Sequence, residues 1–73
     1  MAATRTFSGK RLRELREDVG YSREQVAVAI HRTWHSIYQF ERDELKPGRE
    51  AQEALADLLG VRTDDFYVEV VDA

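Results

Sequence analysis

Gly20, the pair Pro47-Gly48 and Gly60 cut this sequence into short blocks, and each block carries apolar residues at spacings of three and four. That period marks one face of an α-helix. The chain has 73 residues, enough for one small domain. A domain of this size buries only roughly 60% of the surface its unfolded chain exposes, so the blocks must share one compact core. The sequence contains no cysteine, which excludes disulfides and thiolate metal sites. Its longest uncharged run is far short of the ~20 apolar residues of a membrane span, and its first residues lack the apolar stretch of a secretory signal. The expectation is a soluble, cytoplasmic domain with no membrane partner.

The first block predicts a helix from about Ser8 to Val19, with Leu12, Leu15 and Val19 on its buried face. Ser8 is a candidate N-cap, Phe7 and Leu12 have the spacing of a hydrophobic staple, and Gly20 is the left-handed residue that ends the helix. Lys10–Glu14 and Arg13–Glu17 are i,i+4 pairs on the solvated side. The second helix begins at Ser22, where Ser22-Arg23-Glu24-Gln25 reads as a capping box, and it buries Val26, Ala27 and Ile30. The third starts at Thr33, a plausible N-cap. On a wheel of about 100° per residue centred on Ile37, Phe40, Thr33, Glu41 and Trp34 fall within about 60° of the centre. Tyr38, Arg42, His35, Gln39 and Ser36 fill the remaining arc, which is polar, aromatic and basic and contains no carboxylate. A loop, Asp43 to Gly48, leads to a fourth helix over about Arg49 to Leu59, with Ala51, Leu55, Leu58 and Leu59 inward. Thr63-Asp64-Asp65-Phe66 predicts a short fifth turn of helix, its acids near the N-terminus. The β-branched, aromatic end, Phe66 to Val71, is too short to be a sheet alone; it suits pairing, for instance with a second chain.

The net charge of −3 argues at first against a nucleic-acid partner. Its distribution answers that objection. Residues 1–42 carry eight basic side chains and five acids, a balance of +3, whereas residues 43–73 carry three basic side chains and nine acids, a balance of −6. One half suits an anionic partner, and the acidic half aids solubility or offers a surface to a protein partner.

Two short helices joined by a tight turn inside a small helical core form a helix-turn-helix. The run Gly20-Tyr21-Ser22-Arg23-Glu24-Gln25-Val26-Ala27, through Ile30, then Thr33, Ser36-Ile37 and Phe40-Glu41-Arg42, resembles the Cro/cI-type (XRE) helix-turn-helix family. Pro47 and the run Leu55-Ala56-Asp57-Leu58-Leu59-Gly60-Val61 are similar to that family's fourth helix and its exit. The resemblance rests on shared order and spacing across about residues 8–67. It implies an all-α fold, a compact five-helix lambda-repressor-like DNA-binding domain with a short extended C-terminal tail. The divisions are then an N-terminal arm over 1–7, the domain over 8–67 with its motif at about 22–42, and the tail over 68–73.

The resemblance also implies residue roles. The helix over about 33–42 would enter the major groove, which is wide enough to admit it. Trp34, His35, Ser36, Tyr38 and Gln39 are then the candidates for base contacts. Gln39 can donate and accept at once, as an adenine edge requires, and Trp34 offers apolar contact to a thymine methyl or a deoxyribose. Arg23, Arg32, Thr33, Arg42 and Lys46 are the phosphate candidates, and Arg5, Lys10 and Arg11 suit a basic arm. Arg23 stands where the family often has a glutamine that contacts phosphate and braces the recognition helix. Arg16 and Glu41 match a structural ion pair of some family members. His31 stands where the family usually has glycine with positive φ. His31 and His35 are four apart but straddle the turn, so no metal and no cofactor are expected.

Catalysis is not expected: there is no glycine-rich phosphate loop, no Glu-x-x-His pattern and little room for a closed pocket. The reading is a sequence-specific, repressor-like regulator of transcription that binds double-stranded DNA as a homodimer on an inverted repeat. The Val68–Val71 tail or the face around Phe66 is its dimer candidate. The rival is a protein-interaction module, or an antitoxin, on the same fold.

Overall fold

Three of the four α-helices begin at a side chain that takes up one of their free amides. In the computed structural model, which describes residues 3–71, these helices are α1 (Gly9–Val19), α2 (Arg23–Ala29), α3 (Trp34–Glu41) and α4 (Arg49–Leu59). Ser8, Ser22 and Thr33 accept from the amides of Arg11, Gln25 and Ser36. Gln25 returns its side-chain oxygen to the Ser22 amide at 2.7 Å and completes the capping box. Gly20 ends α1 with φ 82°, a conformation that a β-carbon disfavours. No described helix is long and apolar enough to cross a membrane.

The turn between α2 and α3 contains His31 at φ 59°. The position that the family resemblance assigned to glycine therefore keeps its left-handed backbone. A histidine there costs on the order of 1 kcal/mol, and it is exposed, so packing does not compensate. His31→Gly relieves that cost but adds about 0.4–1 kcal/mol of unfolded-chain entropy. The two effects leave a gain of zero to about 0.6 kcal/mol, seen as a melting temperature unchanged to about 5 °C higher. A clearly lower value would show that the turn holds histidine without strain.

The expectation of an all-α, five-helix fold requires correction. The described residues form four α-helices, a 3-10 turn at Thr63–Phe66 in place of a fifth helix, and a two-stranded sheet. Strand β1 (Ala3–Phe7) pairs antiparallel with β2 (Tyr67–Val71), in a register running from Phe7 opposite Tyr67 to Ala3 opposite Val71. The expected arm and tail thus satisfy each other's backbone groups. A strand of five residues has no stability alone; here the core brings the two ends together. Phe7 packs against Phe66 at 5.8 Å and edge-on to Tyr67 at 6.1 Å, and the Ser8 amide donates to the Phe66 carbonyl at 2.8 Å. Residues 1–2 and 72–73, the outer ends of the expected arm and tail, lie outside the described residues.

The core centres on Leu12, Val26, Ile37, Phe40, Leu55 and Phe66, all fully buried. Val19, expected inward, is exposed in the last turn of α1. Gln52, which the apolar pattern did not place, is buried. Its amide donates to the Pro47 carbonyl at 2.8 Å and its oxygen accepts from the Tyr67 hydroxyl at 3.0 Å, which ties α4 to β2.

Helices α1 and α3 approach closely at Gly9. A β-carbon there would lie 2.6 Å from the carbonyl carbon of Glu41 and closer still to the Phe40 carbonyl oxygen. The first turn of α1 therefore lies against the last turn of α3. The Gly9 amide also donates to Asp43 Oδ1 at 2.8 Å. Asp43 itself has φ 58°, which a short polar side chain tolerates. One end of α3 is fixed by these contacts.

Candidate nucleic-acid interface

The inner side of α3 buries Ile37, Phe40 and Glu41. Glu41 is a charge at a core position, so its partners decide how the helix sits. Arg16 of α1 donates to it twice, Nε to Oε2 at 2.6 Å and Nη2 to Oε1 at 3.1 Å. The third N–H group of Arg16 donates to the Tyr21 carbonyl at 2.7 Å. Arg23, at the start of α2, donates Nε to Glu41 Oε1 at 3.0 Å. One carboxylate therefore joins α1, α2 and α3. The structure places Arg16 and Glu41 as the ion pair that the resemblance implied, and it adds Arg23. The expectation that arginine at this position gives up the brace is corrected by the Arg23–Glu41 bond, which ties the start of α2 to α3.

The hydrogen bond to Glu41 raises the pKa of Arg16 above the ordinary arginine value, against the opposing effect of burial. Arg42 is also raised, first by its hydrogen bond to Glu44 and then by Tyr38. A raised folded-state pKa contributes stability below the unfolded value and loses it only as pH climbs through the folded value. Both arginines therefore stay charged through the neutral range and add no pH dependence there.

The outer side of α3 is aromatic and basic. Trp34 is 52% exposed, although the wheel set it beside the core. A wheel has no axial coordinate, and Trp34 lies one turn before Ile37, beyond the covered stretch. Its ring meets His35 edge-on at 5.6 Å and Tyr38 at 6.2 Å, and His35 stacks on Tyr38 at 6.4 Å. Trp34 and His35 are exposed, while Ser36, Tyr38 and Gln39 are half-buried. The Ser36 hydroxyl lies 3.2 Å from that of Thr33, the N-cap. Two arginines lie over Tyr38, Arg23 at 5.3 Å and Arg42 at 5.4 Å. These residues are brought together on one surface.

Arg32 and Thr33 are exposed at the N-terminal end of α3, and Arg42 is exposed at its other end. Lys46 is placed differently. It lies over the Tyr67 ring at 5.9 Å and lines a surface hollow of about 520 Å³ with Pro47, Arg49 and Gln52. The residues expected as a basic arm are held down in part. Arg5 donates to the Asp64 carbonyl at 3.0 Å and Arg11 Nε to the Asp65 carbonyl at 3.2 Å, whereas Lys10 is exposed.

Sequence reasoning missed Gly9, Asp43 and the second partner of Glu41, Arg23. A glycine at the start of a helix carries no periodic signal. The Asp43 cap spans 34 positions, which local patterns do not report. Strand β1 was legible in principle, because Thr4, Thr6 and Phe7 are β-formers.

The model of the helix-turn-helix domain family matches residues 9–66. Among solved structures, the chain is similar to the P22 c2 repressor in complex with synthetic operator 9T in the presence of Tl+. The TM-score is 0.75 at 25% identity, over 81% of this chain and 89% of that one. It also shares the fold of ClgR, the clp gene regulator from Corynebacterium glutamicum, with a TM-score of 0.76 at 24% identity over 80% of this chain. The match spans 62% of ClgR, less than two thirds of its length. No curated protein matches significantly. A family match over nearly the whole domain and a repressor fold around α2 and α3 agree with the motif residues: the chain belongs to the helix-turn-helix domain family, in its Cro/cI-type (XRE) form.

Proposed function

We propose that this protein is a sequence-specific DNA-binding regulator of transcription, repressor-like in action, that inserts α3 into the major groove. The outer face of α3 carries the reading: exposed aromatic and polar side chains, flanked by Arg23, Arg32 and Arg42, on a helix locked from behind by Glu41. An outer arc of α3 without carboxylates, flanked by guanidiniums, suits a phosphate-lined groove. The operator complex of the P22 c2 repressor, a structural relative, supports the same partner.

In this reading Trp34, His35, Ser36 and Gln39 meet base edges. Arg23, Arg32, Thr33 and Arg42 meet phosphates. Helix α3 has eight residues and is therefore only about 12 Å long. One such helix reads few base pairs, so a homodimer on an inverted repeat, with half-sites about one helical turn apart, supplies the affinity. Strand β2 is paired within the chain, which leaves its outward side, with the partly exposed Val68 and Val70, for a second copy.

Selection from random duplexes tests the proposal. Enrichment of an inverted repeat, with affinity falling steeply as salt rises, is the expected result. No enriched motif and no binding at low salt would leave the same surface to a protein partner. Gln39→Ala is expected to relax preference at one base position, at about 1–3 kcal/mol, and to leave the salt slope unchanged. Binding to single-position operator variants checks this; a uniform loss across them would remove Gln39 from the readers.

A further inference from the structure

Two guanidiniums over one ring repel each other, and their approach requires a cause. Arg23 and Arg42 come from different helices and converge on Tyr38, at 5.3 and 5.4 Å. Each is held by a carboxylate through Nε alone, Arg23 by Glu41 and Arg42 by Glu44. Among the described residues, those bonds engage Nε and leave terminal amino groups of both arginines able to turn to a phosphate. Arg16 and Arg23 share the single carboxylate of Glu41, and Glu17 and Glu24 act on Arg16 only through space, so the cations in direct contact at this edge of α3 outnumber the carboxylates that pair them. The negative face of an aromatic ring attracts cations, and a guanidinium fixed in orientation binds phosphate through two parallel bonds.

We propose that Tyr38 is a positioning residue, whose ring holds Arg23 and Arg42 as a paired phosphate clamp, and that it does not read bases. Tyr38 is half-buried with its ring engaged by these cations and by His35. The clamp rests on the DNA-binding reading above and sets the docking of α3. Its two halves differ in origin. Tyr38 and Arg42 are four apart on one helix face, whereas Arg23 arrives only through the turn between α2 and α3.

The test compares Tyr38→Phe, which keeps the ring, with Tyr38→Leu, which keeps much of the bulk without a π-face. The probe is a short duplex of arbitrary sequence, titrated from low to physiological salt, together with duplexes varied at each operator position. Tyr38→Phe keeps the π-face and is expected to keep the salt slope and to lose clearly less affinity than Tyr38→Leu. Tyr38→Leu is expected to weaken every duplex alike, about threefold to tenfold, and to reduce the salt slope by about one. Arg42→Gln should then cost clearly less in the Tyr38→Leu background than alone, because the clamp is already lost. In the free protein, ring-current shifts of the Arg23 and Arg42 side chains should be present with Tyr or Phe and absent with Leu. A loss confined to one base position with an unchanged slope, or additive effects of the two substitutions, overturns the clamp. Absence of any binding by the unmodified protein at low salt overturns the DNA reading and the clamp with it. The ring-current signature shows separately whether the arginines sit on the ring.

Discussion

Replacing Glu41 with glutamine is expected to lower the stability of the domain by about 3–5 kcal/mol. The Glu41 side chain is 1% exposed and accepts three hydrogen bonds from Arg16 and Arg23. Glutamine keeps the shape but turns one acceptor oxygen into a donor facing N–H groups. It also leaves a buried guanidinium without a counter-charge, which is the costly part. A domain of this length has a total stability of roughly 4–11 kcal/mol. The melting temperature should fall by about 12 °C or more, as calorimetry would record. Glu44→Gln is the control: its pair with Arg42 is exposed, so solvent screening leaves it little to contribute. Equal small effects of the two substitutions would show that burial gives Glu41 no special role. The DNA consequence follows from the same geometry. Helix α3 loses its charged tie to Arg16 of α1 and Arg23 of α2 together, so a variant that still folds should bind all duplexes more weakly.

The second large effect is expected at Gly9. Glycine to alanine strengthens a helix interior by about 1 kcal/mol, and less at the first helical position, where Gly9 stands. Here the new methyl group meets the backbone carbonyls of Phe40 and Glu41, and backbone cannot rotate away as a side chain does. Helices α1 and α3 must part, which stretches the Gly9 amide bond to Asp43 and the Arg16–Glu41 pair. Overpacking of this kind costs about 1–3 kcal/mol, so a net loss is expected despite alanine's propensity. Urea denaturation of Gly9→Ala beside Lys10→Ala separates the two contributions, since Lys10 is exposed. A Gly9→Ala protein as stable as Lys10→Ala would contradict the close approach.

Much of the helical framework was legible because its causes are local. Ser8, Ser22 and Thr33 lie next to the amides they cap, and Gly20 next to the helix it ends. The left-handed turn at His31 was legible only through the resemblance, since histidine itself does not announce positive φ. The strand pairing was missed because its cause is distant: Phe7 and Phe66 meet in the core, and the backbones beside them pair as a result.

The candidate site divides along the same line. The wheel put Glu41 inside and left an outer arc without carboxylates, because both follow from angular position. It misjudged Trp34, whose exposure depends on where along the axis the neighbouring helices stop. It could not bring Arg23 to Tyr38, because the angle between α2 and α3 is not a property of either segment.

The sequence by itself determined where helices start and stop, which face of α3 is buried, and the family to which the order of its motifs belongs. These depend on contacts within a few residues, whose geometry a regular helix supplies in advance. Only the tertiary structure decided that the two ends pair as strands, that Gly9 lets α1 touch α3, and that one carboxylate holds three helices. Each of those joins residues far apart in the chain, and their distance depends on how the whole core closes.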